Sequence, residues 1–77
     1  MQVNIKYFGM LTEVTHKQEE WIRFEDNTIG QLIDQLYISY PKLKDMDFKV
    51  AVNHEITDLN SELNSGEVAL LPPFSGG

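Results

Sequence analysis

An α+β fold is predicted for this chain: a mixed four- to five-stranded sheet with one main helix packed on one face. Three observations predict it. Strand-like runs lie at both ends, a single amphipathic helical stretch separates them, and 77 residues hold one domain, which must bury its core efficiently. There is no internal repeat, low-complexity segment or interdomain linker.

The first element is the alternating run Gln2 to Phe8, with Val3, Ile5 and Tyr7 on one face and Asn4, Lys6 and Phe8 on the other. Gly9 to Glu19 carries Gly, Thr and charge without a sustained period, and Trp21 to Phe24 resumes a short β-prone run. Together they read as a strand-loop-strand hairpin. The helix is the best-defined element. Ile29, Leu32, Ile33, Leu36, Tyr37 and Tyr40 recur at helical spacing, Thr28 and Gln31 can cap the free N–H groups at its start, and Pro41 stops it. At that period Tyr37 and Tyr40 read as core rather than as a stacking site.

A polar stretch with Asp45 and Asp47 leads to a third strand over Phe48 to Val52. It turns at Asn53-His54 into a short Ile56-Thr57 strand. Leu59 and Leu63, in the loop from Asp58 to Gly66, are expected to plug one end of the core, and Asn64-Ser65-Gly66 is strong turn chemistry. Glu67 to Leu71 is the last strand. The compact arrangement for this order is the β-grasp, ubiquitin-like one, in which the first and last strands lie side by side and parallel. Val68 and Leu70 then face the core. Leu71 and Phe8 face outward beside the root of the tail, as an apolar patch of the kind that marks a protein interface.

The domain is thus read as residues 1–71, followed by an extended tail over 72–77 that ends in Gly-Gly. Pro72 and Pro73 are stiff and extended, so the tail projects rather than coiling back. Its six residues, at about 3.3 Å each, reach on the order of 20 Å. Gly76 and Gly77 lack side chains, so the terminal carboxylate can pass through a narrow channel that any Cβ would obstruct. That carboxylate is the candidate reactive group.

Elsewhere the chain offers little chemistry. Without cysteine there is no disulfide framework, thiolate metal site or cysteine nucleophile, and a reducing, cytoplasmic setting is expected. The formal net charge of −6 argues against nucleic acid and anionic membrane surfaces as partners. His16 and His54 have no ligand spacing, and neither Asp45-x-Asp47 nor Glu25-Asp26 begins a complete calcium loop, so no metal site is expected. A nucleophile elbow and a Gly-rich phosphate loop are both missing.

The run Gly66-Glu67-Val68-Ala69-Leu70-Leu71-Pro72-Pro73-Phe74-Ser75-Gly76-Gly77 resembles the small subunits of molybdopterin synthase, a family of ubiquitin-like sulfur carriers. Pro-Pro-x-x-Gly-Gly is its most specific part. The resemblance extends over Tyr7-Phe8, Thr28 and the Val50-Ala51-Val52-Asn53 turn. It implies that an activating enzyme adenylates the Gly77 carboxylate with ATP and that sulfur then replaces an oxygen to give a thiocarboxylate. The large synthase subunit would use this sulfur to build the dithiolene of molybdopterin from cyclic pyranopterin monophosphate. The resemblance implies that Gly77 carries the sulfur, that Gly76 gives clearance, and that Phe8, Leu71, Pro72, Pro73, Phe74 and Ser75 meet the partner. The chain is then not catalytic alone but the sulfur-donating subunit of a heteromeric sulfurtransferase, and it binds no cofactor of its own. The resemblance also implies a heterotetramer of two small and two large subunits, in which the activating enzyme and the large subunit exclude each other. Other readings of the same tail are sulfur donation for thiamin or tRNA thiolation, a protein modifier that conjugates to lysine, and a plain interaction module.

Overall fold

The computed structural model describes residues 1–64 and 66–73. Five strands occur among them, β1 (Gln2–Tyr7), β2 (Glu19–Arg23), β3 (Lys49–Val52), β4 (Glu55–Thr57) and β5 (Glu67–Leu71), with helices α1 (Leu11–Thr15) and α2 (Ile29–Ser39) and a 3₁₀ helix over Pro41–Asp45. The sheet order is β2-β1-β5-β3-β4, with β1 and β5 parallel at its centre and the other neighbours antiparallel. This is the β-grasp arrangement that the strand order predicts.

The core follows the alternation. Val3, Ile5 and Tyr7 of β1, Val68 and Leu70 of β5 and Val50 of β3 point inward, where α2 covers them with Ile29, Leu32, Ile33 and Leu36. A capping box starts α2. The Thr28 hydroxyl accepts from the Gln31 amide at 3.3 Å, while Gln31 Oε1 accepts from the Thr28 amide at 2.9 Å. Tyr37 and Tyr40 are half-buried and pack against the core, as their spacing predicts.

Three expectations need correction. The segment after β1 is not a plain loop, because α1 forms in it and buries Leu11 and Thr15. Five residues make little more than one turn, too few to show a period, and such a helix owes its stability to packing rather than to propensity. The polar stretch before β3 holds the 3₁₀ helix, which Pro41 opens rather than merely ending α2, and its Leu43 is fully buried. Leu63 plugs the core as expected, but Leu59 is 53 % exposed. Backbone groups hold its loop instead, since the carbonyls of Leu59 and Ser61 accept from the otherwise free amides of Gly30 (2.8 Å) and Ile29 (3.0 Å) at the start of α2.

A polar clamp ties β1, β2 and α2 together. The Glu20 carboxylate accepts from the hydroxyls of Tyr7 (2.5 Å) and Tyr40 (2.7 Å) and from Lys17 Nζ (3.1 Å). The two tyrosine rings meet edge to face with centroids 6.1 Å apart. Burial by itself pushes the Glu20 carboxyl up, but the hydrogen bonds from Tyr7, Tyr40 and Lys17 outweigh it and hold the group below the usual carboxylate range. Burial, then the Glu20 hydrogen bond, pushes the Tyr7 hydroxyl well above the usual tyrosine value. A carboxyl with a lowered folded pKa stabilises fully above its unfolded value, about 4.3, and loses that contribution as pH falls through the lower folded value. Glu20→Gln is therefore expected to lower the urea midpoint at neutral pH and to flatten its fall in acid. Parallel pH profiles for the variant and the parent protein would count against the clamp.

Candidate docking face and tail root

The parallel register sets Lys6 against Ala69 and Tyr7 against Leu70, and the Phe8 amide continues it by donating to the Leu70 carbonyl at 3.2 Å. Phe8 therefore lies beside Leu71, where the last strand hands over to the tail. Since Val68 and Leu70 face the core, Ala69 and Leu71 take the open face of the sheet. Phe8 is 44 % exposed. The outward pair expected from the two alternations is present.

The structure enlarges that pair into a shallow saddle of about 340 Å³. Ala69 pairs with Ala51 of β3, and Ala51 with Ile56 of β4, so two methyl side chains form the floor while Phe8, Leu71 and Ile56 form the walls. His54 and the Lys6–Glu67 ion pair, 3.2 Å between charged atoms, make a polar rim. Ala51 and Ile56 carry no such role in the sequence reading. Their signal was available, because the alternation that sends Val50 inward sends Ala51 outward, but the pairing of β3 with β5 had to be known before the two alanines could be placed side by side.

The turn that opens the 53–54 hairpin also fixes the approach to β5. Asn53 and His54 both have positive φ, 50° and 74°, as a two-residue hairpin turn requires. The Asn53 amide donates to the Glu67 carbonyl at 3.0 Å, and its side-chain oxygen accepts from the Glu67 amide at 3.2 Å. Gly66, at φ 108°, lies so close to the Asn53 side chain that a Cβ there would collide with it.

Pro72 has its own seat. Gly9 adopts φ 60°, and a Cβ at Gly9 would come 2.8 Å from Pro72 Cγ, so only glycine lets the ring rest there. Met10, Leu11 and Met46 line an apolar groove of about 380 Å³ beside Pro72 and Pro73, with Met10 67 % exposed. Gly9, Met10 and Met46 are absent from the sequence-predicted site, since they come from a loop and from the end of the 3₁₀ segment. Phe8, Leu71, Pro72 and Pro73 are thus brought together. Phe74, Ser75, Gly76 and Gly77 lie outside the described residues. Among the described residues no group of His, Asp or Glu is placed to hold a metal ion, and no helix is long and apolar enough to cross a membrane.

A family model described as the ThiS family matches residues 5–77. The chain belongs to the ThiS family. It is 37 % identical to the molybdopterin synthase sulfur carrier subunit of Mycobacterium tuberculosis, over 100 % of this chain and 99 % of the relative. Two solved structures are close as well. SAMP1 of Haloferax volcanii, a small archaeal modifier protein, is 28 % identical with TM-score 0.82 over 100 % of both chains. Subunit 1 in the complex of subunits 1 and 2 of the molybdopterin-converting factor from Helicobacter pylori is 26 % identical with TM-score 0.68, again over 100 % of both chains.

Gly9→Val is expected to unseat Pro72 and to cost about 1–3 kcal/mol through the positive φ and the contact. Urea unfolding measures it, and an unchanged midpoint would contradict the seat.

Proposed function

We propose that this chain is the sulfur carrier subunit of a molybdopterin synthase, loaded as a thiocarboxylate on Gly77. The observation that carries the reading is the launch of the tail. The chain leaves β5 beside Phe8 and the saddle, and its last residues are Gly76-Gly77 in a sequence 37 % identical over its whole length to a molybdopterin synthase sulfur carrier subunit.

The chemistry needs little from the carrier itself. A carboxylate is a poor electrophile until one oxygen becomes part of a good leaving group. An activating enzyme supplies this by transferring the adenylyl group of ATP to the Gly77 carboxylate with release of pyrophosphate. A sulfur nucleophile then displaces AMP, and the resulting thiocarboxylate donates its sulfur to cyclic pyranopterin monophosphate held by the large subunit. ATP and pterin are bound by partners, and the carrier holds no cofactor. The saddle and the tail root are the handle for both partners. Their footprints overlap, so activation and synthase assembly exclude each other, and two carriers join two large subunits in the working complex.

A second reading has an observation of its own. The likeness to a small archaeal modifier protein supports conjugation, in which a lysine amine attacks the same adenylate and forms an isopeptide bond. Branched Gly-Gly peptides in protease digests of the native cell would favour it.

Two experiments test the carrier reading. Intact-mass analysis after incubation with the activating enzyme, ATP and a sulfur source is expected to show one oxygen-to-sulfur exchange confined to Gly77, and its absence would sink the reading. Phe8→Asp is expected to leave stability within about 0.5 kcal/mol, because the side chain is exposed, while weakening binding to the large subunit more than about tenfold. Deletion of Gly77 should do the converse, leaving the docking face intact and abolishing sulfur loading.

A further inference from the structure

The sheet has an open edge away from the saddle. β2 is an outermost strand, and its partner is β1 alone among the described residues. Its outward side chains are Glu19, Trp21 and Arg23, all exposed, with Trp21 at 67 %. An exposed tryptophan at the centre of an edge strand is unusual, since edges are ordinarily blunted by charge, proline or irregularity.

The backbone of the same three residues also points outward. Tyr7 donates to the Gln18 carbonyl at 2.9 Å and Phe24 to the Met1 carbonyl at 2.8 Å, so with antiparallel alternation Gln18, Glu20, Ile22 and Phe24 face β1. Glu19, Trp21 and Arg23 turn their amides and carbonyls to the edge. The one partner seen there, Gln35 Nε2 on the Arg23 carbonyl at 2.8 Å, agrees with this direction and leaves that oxygen a second lone pair.

We propose that this edge is a self-docking surface, on which a second copy of the chain pairs β2 with β2 antiparallel about Trp21. In that register Trp21 lies opposite Trp21 of the second copy, Glu19 opposite Arg23 and Arg23 opposite Glu19. Residues that face the edge are matched with residues that face the edge. The two aromatic rings and both ion pairs fall on one face of the joined sheet. A shift of one pleat in either direction sets Arg23 against Lys17 or Glu19 against Glu25, like charges that oppose those registers. Within one copy the Arg23 side chain is engaged, among the described residues, only by Glu25, at 2.6 Å, through a pair whose side chains are 79 % and 63 % exposed. So exposed a pair resists re-pairing very little. The two-fold axis of antiparallel pairing is perpendicular to the sheet, so both saddles face the same side. They lie over β1, β5, β3 and β4, and the dimer leaves them open.

Sedimentation of the full chain over a wide concentration range at low salt tests this. A concentration-dependent dimer is expected. Glu19→Arg or Arg23→Glu alone weakens it about tenfold, from two lost and reversed pairs per dimer. The double variant restores it, while thermal midpoints confirm that every variant is folded. Quenching of Trp21 fluorescence by iodide falls as the dimer forms. A chain that stays monomeric throughout overturns the proposal and leaves an extended segment of another protein as the occupant of the edge. A dimer indifferent to both reversals, or a double variant as weak as the singles, overturns it equally.

Discussion

The parallel pairing of β1 with β5 is the contact on which the rest of the molecule depends. It joins the two ends of the chain at the centre of the sheet, so every residue between Tyr7 and Glu67 belongs to the crossover that makes a parallel pair possible. The pairing sets where the last strand ends, and therefore where the tail begins. Without it Phe8 would be an isolated exposed aromatic and Leu71 a strand terminus. With it they are neighbours at the mouth of a shared surface.

That surface is suited to binding that must be undone. Two alanines make a low floor and three larger apolar side chains frame it, while the rim carries the Lys6–Glu67 ion pair. A saddle of this kind offers apolar area to a partner without the depth of a permanent interface. A carrier that, as proposed, visits one protein for activation and another for delivery requires that balance. In the proposed function the covalent chemistry belongs to Gly77 and recognition belongs to the saddle.

Two internal devices hold this geometry. The Glu20 clamp fastens β2 and the end of α2 to β1 through its two tyrosines, one of which immediately precedes Phe8. The positive φ of Gly9 turns the chain sharply after Phe8 and leaves room for the Pro72 ring. Phe8 is thus bracketed by a residue anchored in the core and by a glycine that seats the tail. The side chain proposed to meet partners is rigidly mounted though it is itself exposed.

The sequence by itself determined the elements whose signals are local: the alternation in β1 and β5, the capped helix α2 and the Asn53-His54 turn. Phe8 and Leu71 were legible as outward residues for the same reason, since alternation is a property of one strand. Only the tertiary structure decided what depends on pairing between distant segments. Ala51 and Ile56 join the saddle because β3 lies against β5, Gly9 matters because Pro72 returns to it, and Glu20 is a clamp because two tyrosines from different elements converge on it. The short α1 and the burial of Leu43 were likewise beyond reach, since one turn of helix is too brief for a period to show. Periodicity reports how a segment presents its own faces; which face meets which follows from the register, and the register is fixed only when the core closes.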